Sequence, residues 1–199
     1  MSNEIIVLAD TVFGEFHRIQ ASWFLHQNSL SVLQQNNLAE TIEKLDLRDP
    51  FCRIHGILLE DILLGISRLT DNQSEKLSIF SLYRKANIEH GPSAPETAEQ
   101  ASNLYKRIYH SDALKRIRNF RDEYLAHRLT GEAPDYAAIR TDTETTMNNL
   151  KQLLSAIHIL MGGNGELDQR LHTDTSLARA KNFWGIFTDG LHTRCDSNL

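Results

Sequence analysis

The chain has little that would cross-link it or interrupt it. Its 199 residues include two cysteines, four prolines and ten glycines. The cysteines stand in unlike settings, Cys52 in an apolar helical pattern and Cys195 in a polar tail, so a disulfide framework is not expected and a reducing compartment is consistent. From Met1 to Asp10 there is no basic region of the kind that opens a secretory leader. No uninterrupted apolar run approaches the roughly 20 residues that span a bilayer. The sequence therefore reads as cytoplasmic, with no membrane partner.

Several chemistries lack their residues. No two of the nine histidines stand four apart, and there is no Cys-x-x-Cys, so no zinc site is expected. The repeated Glu-x-x-His of di-iron bundles is absent. So are the Gly-x-x-x-x-Gly-Lys loop for nucleoside triphosphates and the Gly-x-Ser-x-Gly elbow of serine hydrolases. Neither a metal nor an organic cofactor is expected. A net charge of −5 argues against a nonspecific nucleic-acid coat. Between Lys106 and Arg128, however, seven basic residues face three acidic ones, a local balance of +4 that could engage phosphates. Solvated helix surfaces are commonly lined in the same way.

What is present is helical periodicity, with almost no strand-like alternation, so the fold is all-α. A first helix is predicted from about Glu4 to Gln35, with Gly14 or Asn28 as places where it could break. Asp49-Pro50 reads as an N-cap followed by proline at the first helical position. The helix that follows is apolar on nearly every side, through Ile54, Ile57, Leu63 and Leu64 among others, as expected at the centre of a bundle. A short helix is predicted from Leu77 to Ala86, then a long connection over Asn87 to Glu99, where Gly91, Pro92 and Pro95 stand. Helix resumes from about Ala98 to Arg128, with Ser111 able to cap a new start. Another runs to about Met161, where Gly162-Gly163-Asn164-Gly165 reads as a stop. Residues 1–162 form the expected bundle of about five main helices, and 163–199 a C-terminal helical extension packed on it.

The residue types for acid/base work on a charged substrate concentrate in Arg121-Asp122-Glu123-Tyr124-Leu125-Ala126-His127. On a straight helix Arg121 falls in the middle of the apolar stripe of Leu114, Ile117 and Leu125, while His127 points about 120° away. The two could not jointly hold one phosphate unless the helix unwinds or a second chain completes the site. A buried arginine needs a partner, and Asp61 on the central helix is a candidate for an ion pair inside the bundle. Otherwise Arg121 lines a polar cleft or a subunit interface, where its guanidinium can fork onto a phosphate.

An arginine, a polar residue, a few spacers and a histidine, late in a helical bundle, resemble the signature of the HEPN superfamily. Arg121 to Arg128 is particularly similar to its abortive-infection, AbiU-type branch, and so is Ile66-Ser67-Arg68-Leu69-Thr70-Asp71 followed by Leu77-Ser78-Ile79. The likeness covers about Glu4 to Met161. It implies an up-and-down helical bundle that dimerises through its motif-bearing helices. It further implies a metal-independent endoribonuclease of a bacterial defence or toxin–antitoxin system, with an antitoxin protein as a candidate partner. His127 would be the general base or acid at the ribose 2′-hydroxyl and leaving oxygen. Arg121 would stabilise charge on the phosphoryl group, and Asp122 would orient one of them. Lys115, Arg118 and Arg128 would hold the RNA backbone. A reading from another class is a noncatalytic HEPN-like adaptor that uses the same helix for dimerisation or partner binding.

Overall fold

The structure, a computed structural model, describes residues 2–33, 38–73, 77–122, 136–164, 171 and 173–196. Among them are eight α-helices and no strand. They are α1 (Asn3–Leu33), α2 (Leu38–Lys44), α3 (Arg48–Leu69), α4 (Ile79–His90), α5 (Pro95–Tyr109), α6 (Asp112–Phe120), α7 (Tyr136–Leu160) and α8 (Thr173–Asp196). The chain divides into two compact units. The first comprises Met1–Phe16 with Leu63–Leu171, the second His17–Ile62 with His172–Leu199.

In the first unit α7 is the post against which α4, α5 and α6 pack. Its Met147, Leu150, Leu153, Leu154 and Ile157 recur at helical spacing and are buried, so one side of the helix is continuously apolar. α6 answers with Leu114, Ile117 and Phe120, and α4 with Ile79, Phe80 and Leu82. α7 stops because Gly162 takes φ +82, a conformation open to glycine. The Gly163 N–H then donates to the His158 carbonyl at 2.9 Å, satisfying one of the last-turn acceptors.

In the second unit Leu38, Ile42, Phe51, Trp184 and Leu191 form the core. The Trp184 Nε1–H donates to the Leu25 carbonyl at 2.8 Å, so the indole is buried without an orphaned donor. Asp61 accepts from Arg18 Nη1 at 2.5 and 2.6 Å and from Ser22 Oγ at 2.9 Å, which ties α3 to α1 within this unit.

Five expectations about the elements are revised. α3 begins at Arg48, so Asp49, expected as its N-cap, stands inside its first turn. α1 runs unbroken through Gly14 and Asn28. The periodicity gave no sign of α2, a seven-residue helix whose Leu38 and Ile42 gain their burial from the core around Trp184 rather than from a repeating pattern. α3 is not buried on every side: Leu59, Ile62, Leu63, Ile66 and Leu69 are enclosed, whereas Ile54, Ile57 and Leu64 are exposed. The expected long connection over residues 87–99 is mostly helical, because Pro92 and Pro95 each stand at the start of a helix, where no N–H partner is needed.

Trimming Ile117 on α6 to alanine removes apolar contacts from a fully buried site, and Ile117→Ala is expected to cost about 2–5 kcal/mol of stability. Urea unfolding checks this as a lowered midpoint at an unchanged slope.

Candidate functional site

The helix that leads into the Arg/His motif is fixed locally at its start. Ser111 is the N-cap of α6, as its position before Asp112 predicts, and its Oγ accepts from the Leu114 N–H at 3.1 Å. Buried Leu114 and Ile117 hold one side of α6 against the first unit, which turns the basic residues outward. Much of their charge is then taken up by carboxylates. Lys115 Nζ donates to Asp112 at 3.1 Å on the exposed surface. Arg116 forks onto Asp142 on α7 through Nε and Nη2, both at 2.7 Å. That fork holds the Arg116 pKa above its ordinary value, first by hydrogen bonding and then by Coulomb attraction.

Regular α winding ends at Phe120, and Arg121 and Asp122 continue in a wider π turn. The straight-helix wheel therefore holds as far as Arg121, whose N–H still donates to the Ile117 carbonyl, and ceases to apply beyond it. Arg121 is partly buried at 34% side-chain exposure, and its Nε donates to Asp122 Oδ1 at 2.7 Å, with Nη2 2.5 Å from the same oxygen. Asp61, the candidate partner for Arg121, is engaged by Arg18 and Ser22. Arg121 Nη1 has no hydrogen-bond partner among the described residues. His127 and Arg128, the other two members of the predicted site, lie outside the described residues.

One turn before Arg121 stands the residue with the most unusual surroundings. Arg118 is partly buried and donates through Nη2 to the main-chain carbonyl of Thr70, just beyond the end of α3. Carbonyls there lack helical partners and carry the negative end of the helix dipole, so they suit a guanidinium. Burial lowers the Arg118 pKa, and the charge of Arg121 lowers it further, against the pull of Tyr109, Asp71 and Asp122. These four groups thus lie within electrostatic reach of Arg118.

The sequence reading passed over the residues on the other side of this junction. Arg84 on α4 donates through Nη1 to Asn72 Oδ1 at 3.1 Å and through Nη2 to the Asn72 carbonyl at 3.2 Å. Asn72 Nδ2 donates to the Tyr109 hydroxyl at 3.2 Å. The signal was present as Tyr105 and Tyr109, one helical turn apart on α5 and hence on one face. An open groove of about 870 Å³ in the same unit, lined by Glu96, Asn103, Arg107 and Gln152 among others, includes no residue of the motif. Among the described residues no cluster of three or more His, Cys, Asp or Glu side chains could hold a metal ion. None of the described helices is long and apolar enough to cross a membrane.

A model of the HEPN_AbiU2 family, described as AbiU2, matches residues 16–182. The match extends past α7 into α8, beyond the Glu4 to Met161 stretch that carries the motif likeness. No curated protein and no solved structure matches the chain.

Replacing the cap that starts the motif helix, Ser111→Ala, is expected to cost about 0.5–2 kcal/mol. Thermal melts followed by circular dichroism measure the loss, and glycine at the same position should recover most of it.

Proposed function

We propose, on the footing that this chain belongs to the AbiU2 family of HEPN domains, that it is a metal-independent endoribonuclease of a bacterial defence or toxin–antitoxin system. What supports the reading at the residue level is Arg121. It follows directly on the capped helix, partly exposed, oriented by Asp122 and with Nη1 uncommitted among the described residues. A guanidinium held in that way by a neighbouring carboxylate is suited to meet a phosphoryl group with its remaining donors.

In the proposed reaction His127 takes the proton from a ribose 2′-hydroxyl and the 2′-oxygen attacks the adjacent phosphorus. The 5′-oxygen leaves with a proton, and the upstream fragment ends in a 2′,3′-cyclic phosphate. Arg121 stabilises the charge that builds on the non-bridging oxygens. The 2′-hydroxyl as nucleophile confines the reaction to RNA. We further propose that the site is composite across a homodimer, with Arg121 from one chain facing His127 from its partner, and that the protein acts in the cytoplasm under control of an antitoxin protein.

Incubation of the purified chain with RNA in the presence of EDTA tests the assignment. Arg121→Ala and His127→Ala are each expected to lower cleavage by about 100-fold or more. Equal cleavage by all three proteins would remove the catalytic assignment, and an intact homodimer that never cleaves RNA would favour an adaptor. The composite arrangement makes a separate prediction. Mixing the two inactive variants regenerates one complete site in each mixed dimer, for about a quarter of the parent activity at full exchange. A site contained within one chain would regain nothing.

A further inference from the structure

Three rings form a ladder beside the motif helix. Tyr83, Tyr105 and Tyr109 lie nearly parallel, with centroids 4.8 Å apart for the first pair and 5.8 Å for the second. Phe80 closes the ladder edge-on, 5.0 Å from Tyr105 and 5.9 Å from Tyr109. Tyr105 stacks with both Tyr83 and Tyr109, and Tyr83 is buried. Among the described residues Tyr109 is the partly exposed end of the ladder, with His110 edge-on to it at 5.0 Å, and a further flat ring could extend the stack there beside His110.

Among the described residues the guanidiniums at that end, Arg84 and Arg118, lack carboxylate partners, as does Arg107, which donates to the Asn149 and Gln152 amide oxygens. Arg18, Arg68, Arg116 and Arg121 each pair with a carboxylate. Arg84 and Arg118 instead donate to carbonyl, amide and hydroxyl oxygens around Thr70, Asn72 and Ser81, and neither pairs with a carboxylate among the described residues. Hydrogen bonding is thereby satisfied while the positive charge is not cancelled. Among the described residues, Arg84, Arg118 and Arg121 stand against the carboxylates of Asp71 and Asp122, a balance that favours one additional anionic group.

We infer that the Tyr109 end of the ladder, flanked by Arg84 and Arg118, is a subsite for one nucleotide of a single strand, its base stacked on Tyr109 and its phosphate shared by the two arginines. The inference rests on the ribonuclease reading for the identity of the strand and deepens it. It places the nucleotide next to the one whose phosphate Arg121 would hold. An aromatic face with unneutralised arginines beside it is the combination that binds single strands with little sequence preference. Duplex RNA cannot use it, because its bases are stacked on one another.

The test uses a fluorescein-labelled 12-nucleotide 2′-O-methyl RNA, which binds but offers no 2′-hydroxyl for cleavage, with unmodified RNA of the same sequence for activity. Tyr109→Leu is expected to raise the Kd by about 10- to 100-fold and Tyr109→Phe by less than about threefold, since the ring face is kept. Arg84→Gln should flatten the dependence of log Kd on log salt by about one unit. Unchanged binding by a folded Tyr109→Leu overturns the inference, as does an unchanged salt slope for Arg84→Gln, a substitution at an exposed bond that does not depend on how Tyr109→Leu folds. Cleavage of RNA with binding indifferent to Tyr109 removes the subsite and leaves the ribonuclease. Binding that depends on Tyr109 without cleavage leaves the subsite and removes the ribonuclease. A parent chain that binds no single strand removes the subsite outright.

Discussion

The bond from Arg118 to the Thr70 carbonyl is the constraint around which the first unit's polar residues are organised. A guanidinium drawn out of water is costly unless its donors are met, and here Nη2 is met by a carbonyl at the end of a helix rather than by a carboxylate. That choice of partner keeps the cation's charge in play. It also fixes the stretch after α3, which Arg84 holds from the other side through Asn72. The two phrases that carry the family likeness, one ending at Thr70-Asp71 and one beginning at Arg121, are thereby brought within one hydrogen bond and one helical turn of each other. Their separation in sequence conceals a single neighbourhood.

The all-α class was legible because long helices repeat their apolar residues often enough to declare a period. α7 shows this in Met147, Leu150, Leu154 and Ile157, and Ser111 shows that a cap can be read from residue type and position alone. What could not be read has specific causes. α2 is too short for a period and is held by residues far away in sequence, Trp184 and Leu191 among them. Ile54 and Ile57 have the composition of core residues, but burial depends on what packs over them, and nothing local states that. Pro92 and Pro95 break a helix in its interior and begin one at its first turn, so their effect depends on a register that composition does not carry.

The candidate site was legible as residue types and not as geometry. The motif arginine was placed on a straight helix, where it would lie among Leu114 and Ile117. Asp122, its immediate neighbour, takes the place proposed for Asp61, and the guanidinium is partly exposed. Arg118 has the larger structural part, yet residue type alone does not set it apart from the surface cations Lys115 and Arg116. The difference lies in the main-chain acceptor supplied by α3, and a main-chain acceptor leaves no trace in residue identity.

The second unit is assembled from two stretches that lie far apart along the chain, His17–Ile62 and His172–Leu199. Leu38, Ile42 and Phe51 leave the ribosome well before Trp184 and Leu191, which cover them. Throughout the intervening translation those early apolar side chains lack their native cover, the condition in which nascent segments recruit chaperones or associate wrongly. The first unit carries no such delay between α4 and α7, whose packing partners follow one another along the chain. Folding during synthesis would accordingly complete the packing of α4 to α7, which holds Arg118 and Arg121, before that of the unit made from the later part of α1 and from α8.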